Sequence, residues 1–229
     1  MPARRLSIIA AITASSAGAQ VVSLDTGLLP TQQPGWSFVA SNNDSGVSES
    51  QVFSTDGTTL TSNSMALPFA SGRPASTFAQ FDLSAVDFDE VTSVTIDLRA
   101  RVLESEIAQF NAGFFVSMYG EGRGFSAGLS TTTITPNNQQ NFAIDTTQWR
   151  DYRWVADWTS ETVDLFVDGQ LLDTRNFRSS TGSNLNIGDG TGTANARAEI
   201  ERFSLRIVPG PASASLLGIG ALAALRRRR

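Results

Sequence analysis

Apolar and polar residues alternate with period two along most of the chain. Val94, Ile96, Leu98, Ala100 and Val102 alternate with Thr95, Asp97, Arg99 and Arg101, which predicts a half-buried antiparallel strand with its far side in water. Phe114 to Tyr119 and Phe125 to Ile134 flank Gly120-Glu121-Gly122-Arg123-Gly124, the pattern of a hairpin. Tyr152, Trp154, Ala156 and Trp158 share one strand face, and Val163, Leu165 and Val167 share a face of the next. Asp168-Gly169 is the strongest turn signal, leading into a strand from Gln170 to Arg175. Ala198 to Val208 forms a last strand that Pro209 terminates, and Ser41 to Ser64, rich in Ser, Thr, Asn and Gly, reads as loops between short strands. No segment sustains a helical period, although Glu104 to Gln109 suits a single helical turn. Many short antiparallel strands in one body predict an all-β fold, a β-sandwich of jelly-roll type burying alternate residues between two sheets. A single open barrel is the alternative arrangement.

The two ends depart from this pattern. Residues 1–19 carry Arg4 and Arg5, an apolar run from Leu6 to Ile12 and the small-x-small ending Ala17-Gly18-Ala19, the three parts of a secretory signal peptide, with Gln20 the expected mature start. Residues 208–229 read as a separate segment: Pro209 and Pro211 break the strand, Ala212 to Leu225 are 14 uncharged residues, and Arg226, Arg227, Arg228 and Arg229 follow. As a helix that run spans roughly 21 Å against about 30 Å of bilayer hydrocarbon, a short anchor. The arginines stay cytoplasmic under the positive-inside rule, leaving the body outside the inner membrane. Such a tail serves either as a permanent anchor or as a transient sorting signal that is cut.

Composition narrows the chemistry. The 229 residues contain no Cys and no His, and all 17 basic residues are Arg. Disulfides, zinc fingers, haem, iron–sulfur clusters and Ser-His-Asp triads are excluded, as are Schiff bases and P-loop phosphate ligation. Catalysis would fall to carboxylates, Ser, Thr, Tyr or Arg, and a bound metal would be a hard, oxygen-liganded cation such as calcium. The formal net charge is −5, but residues 20–207 alone hold eleven arginines against 22 acids, a net −11. That charge repels nucleic acid and anionic lipid. No solenoid or propeller repeat and no low-complexity linker divides these 188 residues, so they read as one domain.

Two resemblances follow. Pro209-Gly210-Pro211-Ala212-Ser213, the short apolar run and the terminal arginines resemble the PEP-CTERM sorting signal of Gram-negative bacteria, with Gly210 where that family has Glu. The resemblance implies recognition by an exosortase-type sorting machinery and delivery, through a transient stay at the inner membrane, to the cell surface or to extracellular polysaccharide. Trp149-Arg150-Asp151-Tyr152-Arg153-Trp154-Val155, followed by Val163-Asp164-Leu165-Phe166-Val167-Asp168-Gly169-Gln170-Leu171-Leu172, is similar to consecutive strands of the laminin-G-like and concanavalin A-like jelly rolls, with Phe166 where Tyr is usual. This resemblance implies the sandwich fold; the same sandwich hosts lectins, glycosidases, adhesion modules and spacers.

A few acids and aromatics are candidates for chemistry. The Glu-x-Asp-x-x-Glu motif of laminarinase-type members is absent, and Glu199-Ile200-Glu201 is the nearest pair of acids. Strand alternation would put both glutamates in register with Phe203, Leu205 and Ile207, so either a bulge resets the strand or the acids line a face. Glu104 and Glu106 form a weaker pair. For sugar binding, Phe166 points opposite to Val163, Leu165 and Val167, beside Asp164 and Asp168, while the parity of Trp154 and Trp158 assigns them to the core. For calcium, Asn184, Asn186 and Asp189 precede a Gly190-Thr191-Gly192-Thr193 loop. Gly120-x-Gly122-x-Gly124 leads into a strand and is no phosphate loop. The expectation is an exported, surface-sorted jelly roll without enzymatic activity, binding carbohydrate or exopolysaccharide or serving adhesion. The rivals are a hydrolase using Glu199 or Glu201 and a structural matrix protein with no defined ligand.

Overall fold

A computed structural model describes residues 19–41, 47–65, 67, 76–106, 113–189 and 194–210. Ala17, Pro211 and Arg226 to Arg229, and with them most of the expected leader and tail, lie outside the described residues. In chain order the strands are β1 (Gln20–Leu24), β2 (Trp36–Ser41), β3 (Phe53–Thr55), β4 (Leu60–Asn63), β5 (Ser76–Asp82), β6 (Val91–Ser105), β7 (Phe114–Gly120) and β8 (Arg123–Leu129). The second half adds β9 (Thr133–Pro136), β10 (Phe142–Ala143), β11 (Arg150–Asp157), β12 (Thr162–Val167), β13 (Gln170–Asn176), β14 (Arg178–Ser179), β15 (Asn184–Asp189) and β16 (Ala196–Pro209). Helix is confined to single turns at Pro30–Gln32, Glu49–Val52 and Phe88–Glu90 among the described residues, none long and apolar enough to cross a membrane.

The strands form two antiparallel sheets of eight. The first runs β13-β12-β11-β6-β16-β4-β3, with β1 beside β4 on β16; the second runs β10-β9-β8-β7-β15-β5-β2, with β14 on β8. The sheets pack as a sandwich, and their facing side chains follow the alternation of the sequence. From the first sheet Val94, Ile96, Leu98, Ala100, Val102, Tyr152, Trp154 and Leu165 are buried; from the second, Val116, Met118, Phe125, Ala127, Leu185 and Ile187 are. Trp154 and Trp158 are core residues, 2% exposed. Trp158 packs 4.7 Å from both Phe88 and Phe177, ring centroid to ring centroid. Gly120 is required beneath this cluster, since a Cβ there would lie 2.4 Å from the Phe88 ring. With 15 and 14 residues, β6 and β16 are the longest strands and pair along nearly their whole length, so a large apolar core stands in for disulfides.

Several boundaries differ from the sequence reading. The β7–β8 hairpin turns on Glu121 and Gly122 alone, with φ of 50° and 82°, the left-handed pair that a two-residue turn needs. Asp168 (50°) and Gly169 (80°) do the same between β12 and β13. Glu104 and Ser105 continue β6 instead of starting a helical turn, because β16 keeps pairing with them through Arg197 and Ala196. β16 extends beyond its expected end, to Pro209 opposite Val91.

Candidate functional site

The outer face of the first sheet holds the residues singled out for chemistry. In β16 the register with β6 shifts between Ile200 and Arg202. This bulge lets Ala198 and Ile200 on one side of it, and Phe203, Leu205 and Ile207 on the other, all face the core. The glutamates turn outward and meet arginines: Glu199 lies 2.7 Å from Arg101, and Glu201 pairs with Arg99. Arg99 and Arg202 both reach Asp151, at 3.1 and 2.9 Å, and Arg153 reaches Asp97 at 2.6 Å. Glu104 faces Arg197 at 3.4 Å, and Glu106 accepts from Asn195 Nδ2 at 3.3 Å. These carboxylates stitch neighbouring strands together.

Phe166 and Asp164 share this face. Phe166 is half-buried and lines a surface depression of about 420 Å³ with Asp97, Asp151, Arg153, Val155 and Arg202, where every charged group named is already in an ion pair. Asp164 accepts from Thr174 Oγ1 at 2.6 Å. Asp168 is separated from them by its place in the turn: its carboxylate accepts from the Asp151 N–H at 3.0 Å and from Arg150 Nη1 at 2.6 Å. Partial burial pushes the Asp168 carboxyl up, but the Arg150 and Asp151 hydrogen bonds outweigh it and hold the group below the ordinary aspartate range.

The candidate calcium ligands do not converge. Asp189 is buried on the core side of β15 opposite Thr77, whereas Asn184 and Asn186 lie on the outer side of the same strand. Strand alternation separates them. Among the described residues, the three acids whose carboxylates approach within 4.8 Å are Asp87, Asp89 and Glu121, all exposed. Their oxygens accept backbone N–H groups, Asp87 from Asp89 at 3.1 Å and Glu121 from Phe88 at 3.3 Å, so this cluster ties a turn to a hairpin.

The outer face of the second sheet is built differently, from three rows that cross the strands. The middle row is Ser37, Gln80, Asn186, Ser117 and Ser126, one residue from each of β2, β5, β15, β7 and β8. Gln80 Nε2 donates to Asn186 Oδ1 at 2.9 Å, and Asn186 Nδ2 donates to Ser117 Oγ at 3.1 Å and to Asn184 Oδ1 at 2.8 Å. One flanking row is Val39, Phe78, Gly188, Phe115, Gly128 and Thr135. Gly188 separates the two phenylalanines; its φ is 141°, and a Cβ there would lie 2.6 Å from the Thr77 carbonyl oxygen, so only glycine fits. The other row is Asp82, Asn184, Tyr119, Gly124 and Arg178, with Tyr119 against Gly124. Phe78, Phe115, Tyr119, Gln80 and Asn186 are half-buried and Ser37 is exposed, whereas Ser117 and Ser126 are buried, and Arg178 Nη1 lies 3.5 Å from Ser126 Oγ. Asp82 is the one carboxylate in these rows; it is exposed at the rim, and the Ser84 backbone N–H, at 2.8 Å, holds it below the ordinary range.

These rows escaped the sequence reading, but one signal was present. In Phe114-Phe115-Val116-Ser117-Met118-Tyr119, the inward parity of Phe114, Val116 and Met118 sends Phe115 and Tyr119 outward.

No family model matches the chain, and no curated protein matches it in sequence. Solved structures do resemble it. An endo-1,3-β-glucanase from Streptomyces sioyaensis superposes with a TM-score of 0.54 at 12% identity, over 86% of this chain and 99% of that one. A carbohydrate esterase from the Shiga toxin-encoding bacteriophage phi24B superposes with a TM-score of 0.52 at 14% identity, over 85% and 99%. At such identities the likeness is one of fold, the two-sheet jelly roll.

Proposed function

We propose that this protein is an exported, non-enzymatic carbohydrate-binding jelly roll that holds its ligand across the outer face of the second sheet. The observation that carries this reading is the pairing of aromatic and amide rows on one face. Sugar rings present apolar C–H faces and polar hydroxyls, and a surface of half-buried Phe and Tyr beside Gln and Asn offers partners for both. Carbohydrate-active proteins with the same fold, a glucanase and an esterase, lend the class further support.

The non-enzymatic part rests on where the acids lie. Glycoside hydrolysis needs two carboxyl groups about 5–9.5 Å apart across the scissile bond. Among the described residues the rows contain only Asp82, at the rim, and Asp44 is the sole acid of residues 20–207 outside the described ones. Glu199 and Glu201 stand on the other sheet, paired with arginines.

Export and sorting complete the reading: a leader removed after Ala19, and a tail handed to an exosortase-type machinery that delivers the body to the surface or to extracellular polysaccharide. Gln20 begins β1 and pairs with Ile207 of β16, and the Gly210 N–H donates to the Glu90 carbonyl. Cuts before Gln20 and after Gly210 therefore leave every described strand intact, and both ends depart from one pole of the sandwich.

A glycan array probed with and without calcium tests the binding claim, and a blank array under both conditions overturns it. Reducing-sugar release from any bound glycan, lost in Glu201→Gln or in an Asp82→Asn variant, would overturn the non-enzymatic claim.

A further inference from the structure

We infer that Gln20 is a modification site, where the α-amine freed by removal of a leader after Ala19 closes on its own side-chain amide and blocks the amino terminus as a pyrrolidone ring; this rests on the reading that the leader is cut at that bond. At neutral pH a share of any α-amine is uncharged and nucleophilic. The α-nitrogen attacks Cδ of the carboxamide. The N–Cδ bond forms, the Cδ–Nε2 bond breaks, and Nε2 takes a proton from the attacking amine and leaves as ammonia. No oxidant, metal or second substrate is needed to balance the step. The surroundings of Gln20 suit it. Ala19 and Gln20 are exposed, and Gln20 lines an open surface groove of about 500 Å³ with Val21, Leu28, Gln32 and Phe81, where the ring has room to close and ammonia to leave. Among the described residues the Gln20 carboxamide makes no hydrogen bond, so no partner is given up. Gln32 and Gln33 of the same groove are engaged instead: Gln32 accepts from the Leu29 N–H at 3.0 Å, and Gln33 accepts from the Asp25 N–H at 2.6 Å and donates to the Asp25 carbonyl at 2.9 Å.

The packing behind this end gives the ring its role. Gln20 is the first residue of β1 and stands opposite Ile207 of β16; the closed ring keeps one N–H and the main-chain carbonyl, so it fits the same place in the ladder. Among the described residues β1 pairs with β16 alone, and a strand held on one side at a chain end is open to fraying. The core begins two residues in, at Val22 and Leu24, both buried. Ser23 accepts from Trp36 Nε1 at 3.1 Å, and Trp36 packs edge-on against Phe203 at 5.9 Å. Trimming through Val22 would therefore open the core along β16. An aminopeptidase grips a primary amine at the end it trims, and the ring offers none. The chain has no lysine, so the α-amine of Gln20 is the sole primary amine of the mature protein, and closing the ring removes it.

The test is made on the mature protein from its producing cells, with primary amines labelled before digestion so that a ring closed during handling is told apart from one already present. The amino-terminal peptide should begin at Gln20, lack one ammonia and carry no label. Stepwise sequencing of the unfolded protein should give no signal until a pyrrolidone-cleaving peptidase has removed the ring, and should then start at Val21. Gln20→Asn, whose side chain is one carbon too short to close the same ring, should take the label, and an aminopeptidase should trim it while leaving the unaltered protein intact. A labelled, open Gln20 at the amino terminus of the unaltered protein overturns the inference and leaves the leader cut standing. A start at any other residue overturns both. Equal resistance of the unaltered protein and a labelled Gln20→Asn overturns the protective role and assigns it to the β1–β16 ladder. The first measurement needs no variant, so it decides the inference even where Gln20→Asn is not exported.

Discussion

Asp168 distinguishes a ligand-contacting carboxylate from a structural one. It occupies the first turn position between β12 and β13 with φ of 50°, and its two oxygens hold the Asp151 N–H and the Arg150 guanidinium. Asp168→Asn keeps a residue that tolerates the left-handed conformation and can still accept from the N–H, but it removes the ion pair. The Asp168 and Arg150 side chains are 43% and 31% exposed, so solvent screening limits the loss to about 1 kcal/mol. Asp168→Ala loses both contacts and adds roughly 1 kcal/mol for a left-handed alanine, about 2 kcal/mol in total. For a body of this size these are falls in Tm of about 2–4 °C and 4–8 °C. The sign with pH follows from the lowered folded-state pKa. The contribution is complete above the unfolded aspartate value of about 3.9 and is lost as pH falls through the folded value. The gap between the unaltered protein and Asp168→Asn should therefore be full at neutral pH and shrink as the solution is acidified below the ordinary aspartate range. Scanning calorimetry over that range, beside a glycan titration at neutral pH, provides the assay. A gap that does not shrink on acidification, or a glycan affinity that collapses in Asp168→Asn with the fold intact, would refute the structural role.

Other expectations follow from the packing. Phe88→Ala removes a fully buried ring stacked on Trp158 and should cost about 3–5 kcal/mol in urea unfolding; a loss under 1 kcal/mol contradicts the packing described. Gly188→Ala forces a Cβ against the Thr77 carbonyl and should cost at least about 1–3 kcal/mol, weakening glycan binding as Phe78 and Phe115 are displaced. Mass spectrometry of the protein from its producing cells should find a mature start at Gln20 and no Arg226 to Arg229; an intact arginine run argues for a permanent anchor.

The strands that build the core could be read directly because alternation is a local property. Val94 to Val102, Tyr152 to Trp158 and Val163 to Val167 each point one face inward wherever they pair, and Asp168-Gly169 determines a turn from two residues. The β16 bulge was half legible: the parity conflict between Ile200 and Phe203 required either a bulge or an acid-lined face, and only pairing with β6 decided between them. Phe166 was correctly assigned to an outer face, but its neighbours Arg153 and Asp97 come from β11 and β6, and their mutual pairing could not be foreseen from β12 alone.

The candidate binding face shows the limit most clearly. By itself the sequence determined an all-β sandwich, its core faces, the absence of thiol, imidazole and lysine chemistry, and a strongly acidic body. Only the tertiary structure brought Ser37, Gln80, Asn186, Ser117 and Ser126 into one row, because a transverse row is set by register between strands that lie up to about a hundred residues apart in the chain. Side-chain period along a strand is carried by its own residues, whereas alignment across strands is decided by the hydrogen-bond ladder and the shared core, and it is that alignment which brings scattered Ser, Asn, Gln and Phe residues side by side.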